Sequence, residues 1–174
     1  MSTSSARRLI PVFASLLLII GPLSYAESPM LGERPATDTV HDASILPDGQ
    51  GLPPGSGNAQ LGSRLYQQHC LACHGPRGQG GLNDALSGGR DSLDQKTPLK
   101  TVGSYWPYAT TVFAYIRKAM PYSTPGILSD SDVYALTAYL LFENGIVSET
   151  AELDAVSLGK VVMPNQDGFI PVYR

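Results

Sequence analysis

The sequence predicts an all-α domain of three or more helices gathered around one bound group. Three observations carry that expectation. Apolar residues recur at helical spacing in three stretches between Ala59 and Gly145, and the glycine-rich run from 75 to 104 contains no convincing strand. The third observation is Cys70-Leu71-Ala72-Cys73-His74, placed where the first helical stretch ends.

Taken in chain order, Arg7 and Arg8 lead into the apolar run Leu9 to Leu23, followed by Ser24-Tyr25-Ala26. This is the pattern of a secretory signal cut after about Ala26. Pro11 and Gly21-Pro22 break the run, which lacks the about 20 clean residues of a permanent span. No later segment is apolar enough to cross a bilayer, so no membrane span is expected once residues 1–26 are removed. Removing Arg7 and Arg8 leaves 10 basic against 15 acidic residues, a formal net charge of −5. Nucleic acid is therefore an unsuitable partner.

Residues 27–58 hold five prolines and five glycines with no helical period, which predicts an extended arm. From Ala59, Leu61, Leu65 and His69 share a face with Tyr66 beside it, so a helix is expected to run into the cysteine motif. The loop 75–104 is too long for a compact domain unless it wraps something. A second helix is expected after Trp106, with Pro107 at its first position and Val112, Tyr115, Ile116 and Ala119 on one face, ending at Pro121. A third is expected from Ser129, capped with help from Asp132, with Val133, Leu136, Tyr139 and Leu140 as its stripe and Asn144-Gly145 as its stop. Residues 146–174 form a C-terminal extension, leaving 59–145 as the domain.

Cys70 and Cys73 are the only cysteines, and a redox pair, half a zinc site and a covalent haem attachment all begin with such a pair. The following residue separates them. Two thiols one helical turn apart match the spacing of the two haem vinyl groups, and His74 directly after them can reach the iron. The redox reading lacks a surrounding βαβ pattern, and the zinc reading lacks a second ligand pair, the other histidines being His41 and His69. One covalent haem c is therefore expected, with His74 as an axial ligand. The other ring N–H of His74 needs an acceptor, expected from a backbone carbonyl between Pro76 and Leu86.

Met120 and Met163 are the candidates for the second axial ligand. Met120 lies 46 residues after His74, where a helix ends at Pro121, and is the favoured one. His69 is expected to be a surface or packing residue. Trp106 and Tyr105 are candidates for the haem edge, and Arg117 and Lys118 for the solvated face of the second helix.

These residues resemble a class I cytochrome c. Gly62 and Tyr66 lie eight and four residues before the first cysteine, where that family has the small and aromatic residues of its first helix. Leu136 and Tyr139 fit the matching positions of its last helix. The resemblance implies a close helix crossing at Gly62 with the rings packed around it. More specifically, the chain is similar to the cytochrome subunit of bacterial sulfite and sulfane dehydrogenases across about residues 42 to 171. The strings that carry this are Pro47 to Gly57, Lys100 to Ala109, Tyr115 to Pro121 and Met163 to Phe169.

This second resemblance implies a periplasmic electron-transfer subunit of a sulfur-oxidising complex. It would take electrons singly from a molybdenum-cofactor catalytic subunit and pass them to a downstream periplasmic cytochrome or oxidase. Some members carry a second haem, whereas this chain has a single CxxCH. The alternatives are a free soluble periplasmic carrier and a haem enzyme or sensor with an open sixth position. The chain alone has no convincing catalytic constellation. Its two extensions, with apolar anchors such as Ile45, Leu52, Met163 and Phe169, are expected to order poorly alone and to hold the catalytic partner.

Overall fold

A computed structural model of the protein describes residues 44–170. The expected signal segment, residues 27–43 of the expected arm and residues 171–174 lie outside the described residues. Helix α1 (Ala59–His69) starts where the Asn58 side chain accepts from the Leu61 amide at 3.1 Å. Its buried residues are Ala59, Gly62 and Tyr66, whereas Leu61 and Leu65 are half-buried. The glycine face turns inward because it permits the closest approach to another backbone. That backbone belongs to helix α4 (Asp130–Glu143): a β-carbon on Gly62 would run into the Ala135 carbonyl. Tyr66 and Tyr139 pack beside the crossing with ring centroids 5.0 Å apart.

Helix α4 begins at the expected capping box. The Asp132 amide donates to Ser129 Oγ at 3.2 Å, and the Ser129 amide donates to Asp132 Oδ2 at 3.0 Å. The helix is buried on every side from Val133 to Leu141, so the expected single stripe understates it. Such a helix belongs at the centre of a fold, with the other elements laid around it. Thr137 stays there because its hydroxyl donates to the Val133 carbonyl at 2.7 Å.

Two short helices and one longer one complete the helical set. Helix α2 (Leu71–His74) follows α1 directly, and a 3-10 turn spans Pro76–Gly78. Helix α3 (Ala109–Ala119) starts two residues later than expected, because Tyr108 keeps an extended backbone and Pro107 lies outside the helix. Its inward face is Ala109, Val112, Phe113 and Ile116, while Tyr115 is exposed. Arg117 also departs from expectation. Its guanidinium, 7 % exposed, pairs with Asp130 at 2.7 Å and so ties α3 to the start of α4.

The extensions pack on this chain's own core, contrary to the expectation that they order poorly alone. Strand β1 (Ser56–Gly57) pairs antiparallel with β2 (Leu153–Asp154), and helix α5 (Ala155–Leu158) follows. Gly57 lies against the Ala135 backbone, and Gly159 lies against the Asp48 carbonyl, where added β-carbons would clash. Leu153, Leu158 and Met163 join the core, and Tyr134 Oη donates to the Pro53 carbonyl at 2.8 Å. Burial alternates over Val161, Val162 and Met163, half-buried, exposed and buried in turn, whereas Phe169 and Ile170 are both exposed.

The glycine-rich loop is held from two places. Asn144, at the end of α4, accepts from the Gly88 amide at 3.1 Å and donates to the Leu86 carbonyl at 3.1 Å. Thr101 donates to the Gly88 carbonyl at 2.6 Å, and Ser104 donates to the Leu99 carbonyl at 2.6 Å. Together with backbone bonds such as the Leu86 amide to the Gly78 carbonyl at 2.7 Å and the Val102 amide to the Leu86 carbonyl at 3.2 Å, these side chains order a long loop that has no regular structure. Among the described residues, no helix is long and apolar enough to cross a membrane.

Candidate functional site

A cavity of about 370 Å³ opens between α2, the loop and α3, within the size range of cofactor pockets, roughly 300–1,000 Å³. Helix α1 and the motif contribute Tyr66, His69, Cys70, Cys73 and His74 to its wall. The loop contributes Lys100, Thr101, Val102 and Trp106; α3 contributes Val112, Ile116 and, at its C-cap, Met120. Leu136 and Leu140 of α4 line it too. A broader depression of about 730 Å³ lies by the C-terminal segment, between Arg90 and Asn165, and holds none of the motif residues.

The backbone sets up the motif. The Cys70 amide continues α1 by donating to the Tyr66 carbonyl at 2.9 Å, and the His74 amide donates to the Cys70 carbonyl at 2.9 Å. Gly75 then turns the chain with φ of 71°, a region that favours glycine, and its carbonyl accepts from Tyr66 Oη at 2.9 Å. Burial pushes the Tyr66 phenol up to about 12, which keeps it the donor of that bond. His74 Nδ1 lies 2.9 Å from the Asp84 carbonyl oxygen. A carbonyl only accepts, so the proton sits on Nδ1 and the lone pair of Nε2 is left for a metal.

Burial, reinforced by the neighbouring Cys73, pushes the Cys70 thiol up to about 11. Reactive redox cysteines show the opposite, a depressed pKa in an electropositive setting. Nor do three His, Cys, Asp or Glu side chains gather as a metal cluster among the described residues. The donor set around the cavity is instead two thiols, the His74 imidazole with a fixed tautomer, the His69 imidazole at the end of α1, and one thioether, amid largely apolar side chains. That set suits a covalent haem.

Of the sequence candidates, Cys70, Cys73, His74, Met120 and Trp106 all line the cavity. Tyr105 does not. Its ring packs edge-on against Phe169 at 5.4 Å, and its carbonyl accepts from Asn165 Nδ2 at 2.7 Å. The chain turns here, with the Tyr105 amide donating to the Thr101 carbonyl at 3.0 Å, and the two rings end on different neighbours. Met163 is 2 % exposed in the core and also lies away from the cavity. His69 is half-buried at the cavity wall, and Trp106 stands edge-on to Tyr115 at 5.7 Å. Sequence reasoning missed Asn144 and Glu143. Asn144 was legible only as a helix stop, and Glu143 accepts from Arg77 Nε at 2.8 Å across the turn that follows the motif.

An all-α domain with a CxxCH at the wall of a thioether-bearing cavity defines an electron-carrying haem protein. The Cytochrome c family model matches residues 59–142. A chain in the crystal structure of the sulfane dehydrogenase SoxCD from Paracoccus pantotrophus is 41% identical with a TM-score of 0.75, over 83% of this chain and 72% of that one. The chain belongs to the cytochrome c family, with the covalently bound haem c that the family's domain carries. The thiosulfate dehydrogenase of Stutzerimonas stutzeri (strain A1501) is 29% identical over 93 residues, 51% of this chain. The chain spans only 28% of that relative's length.

Proposed function

We propose that the chain is an exported, periplasmic mono-haem cytochrome that serves as the electron-transfer subunit of a sulfur-oxidising dehydrogenase. In this reading Cys70 and Cys73 would hold the haem through thioethers, and His74 and Met120 would ligate its iron. The observation that carries the site assignment is the convergence of all four side chains on one cavity, with His74 Nδ1 occupied by the Asp84 carbonyl.

Bound there, haem c supplies a one-electron iron couple. The protein's residues tune and shield it. The Asp84 carbonyl orients the imidazole and raises its basicity through Nδ1–H. A thioether paired with an imidazole raises the potential relative to two imidazoles, which suits taking electrons from a sulfur-oxidising centre. Val112, Ile116, Leu136 and Leu140 would shield a bound haem from water and lower the local dielectric constant, and Trp106 would pack beside it.

The likeness to the SoxCD chain supports a permanent partner, a molybdenum-cofactor subunit that oxidises a sulfur compound and delivers electrons singly. A downstream periplasmic cytochrome or oxidase would receive them. Two measurements test this. Acid–organic extraction of the mature chain should leave haem on the protein, and Cys70→Ser with Cys73→Ser should abolish that retention. Purification from the native periplasm should yield a complex that contains molybdenum. Free haem from the wild type would sink the first claim; a monomer without molybdenum would sink the second.

That last outcome would favour a free soluble carrier. The docking of both extensions on their own core gives this second reading some support, since it leaves less of them available to a partner.

A further inference from the structure

We propose that Lys100 is the counter-ion of the haem carboxylates, held at the cavity by Tyr105, and that its charge raises the reduction potential. The inference rests on the haem reading above. Lys100 and His69 are the basic side chains at the cavity wall besides His74, and of these Lys100 alone is an ammonium. The ion pairs among the described residues join Arg77 to Glu143 and Arg117 to Asp130, and neither uses Lys100. Its ammonium lies 5.0 Å from the centroid of the Tyr105 ring. A cation over a phenol face is attracted by the ring quadrupole, which favours this position without neutralising its charge.

The backbone around Lys100 is pinned on both sides. The Leu99 amide donates to Ser92 Oγ at 3.1 Å, and the Thr101 amide donates to Ser104 Oγ at 2.9 Å. Tyr105 in turn is braced by Phe169 and by Asn165 from the C-terminal extension. A line of contacts therefore runs from that extension through Tyr105 to the cavity wall, which gives Tyr105 a positioning role without contact with the cavity.

Haem c carries two propionate carboxylates, and a carboxylate against this largely apolar wall is costly unless a cation meets it. The same cation opposes the propionate charge felt at the iron. Since the reduced iron carries one positive charge less than the oxidised, a nearby cation favours reduction. At a separation on the order of 10 Å in a partly wet setting, one charge shifts that equilibrium about threefold.

The test uses the full mature chain with Lys100→Gln, Lys100→Glu, Lys100→Arg and Tyr105→Leu. Covalent haem is established first in the wild type by pyridine haemochromogen; its absence would defeat the haem reading and leave this one without a subject. Spectroelectrochemistry then reads the reduced-to-oxidised ratio at a fixed applied potential. The expected result is about a threefold fall for Gln, a larger fall for Glu, little change for Arg, and part of the Gln effect for Tyr105→Leu, with thermal midpoints unchanged for the Lys100 variants. Lys100 is exposed, so its replacements leave the core intact. Equal shifts for Gln and Arg would assign a packing role instead. No shift for both Gln and Glu would overturn the proposal outright.

Discussion

Gly62 of α1 faces Ala135 of α4 so closely that a β-carbon at residue 62 would overlap the Ala135 carbonyl oxygen. Gly62→Ala must therefore push α1 away from the central helix or strain both backbones. Overpacking of this kind costs about 1–3 kcal/mol, offset only slightly by the better helix propensity of alanine. Chemical denaturation followed by haem absorbance should show the midpoint fall. An unchanged midpoint would mean that the crossing has slack.

How much of this was legible in the sequence depended on the range of the interaction. The capping box at Ser129 and Asp132 was readable because both partners lie within one turn. The cysteine motif was readable because its chemistry is local. The start of α3 was misplaced because proline tolerates the first helical position without requiring it, and Tyr108 stays extended. The β1–β2 pairing could not be read from two-residue strands almost 100 positions apart, whose partners are set only by the folded core. For the same reason local sequence does not distinguish Tyr105 from Trp106, because what separates them is the contact of Tyr105 with the C-terminal extension.

Met120 and Met163 should separate cleanly. Met120→Ala should abolish the absorption band of methionine ligation and lower the potential while haem stays attached. Met163→Ala should leave the spectrum alone but cost about 2–5 kcal/mol of stability, because it opens a cavity in the core. Visible spectra and denaturation curves of both variants check this. A spectral change at Met163 with none at Met120 would reverse the ligand assignment.

Arg117 and Asp130 join α3, whose C-cap is Met120, to the start of α4. Asp130→Ala would strand a guanidinium that has little water to fall back on. The cost should be about 2 kcal/mol, below the 3–5 kcal/mol of a fully buried pair because Asp130 keeps 32% of its side-chain surface exposed. The double variant with Arg117→Met should recover part of the loss, since it removes the unpaired charge. A double-mutant cycle measures the coupling. A double variant no more stable than Asp130→Ala alone would show that the stranded charge is not the cause.

Asp154 connects the C-terminal extension to acid stability. Its Oδ1 accepts from the Ser157 amide at 2.8 Å, from Ser157 Oγ at 2.8 Å and from the Val156 amide at 2.9 Å, capping α5. The Ser157 amide chiefly, then the Ser157 hydroxyl, with a smaller share from the Val156 amide, hold this carboxyl below its ordinary value, against a modest opposing effect of desolvation. With the folded pKa below the unfolded one, the unfolded state binds more protons in the interval between them. The carboxylate's contribution is thus fully present above the unfolded value of about 3.9 and is lost as pH falls through the folded one. Asp154→Ala should lower the denaturation midpoint by the same amount at pH 7 and near pH 5. At lower pH the gap between the two proteins should narrow, leaving only what a protonated carboxyl can still accept. Because α5 carries Leu158 into the core ahead of Met163, the variant should also expose the C-terminal segment to limited proteolysis at neutral pH. A midpoint difference that stays constant down to the acid limit would show that the charge on Asp154 contributes nothing to the cap.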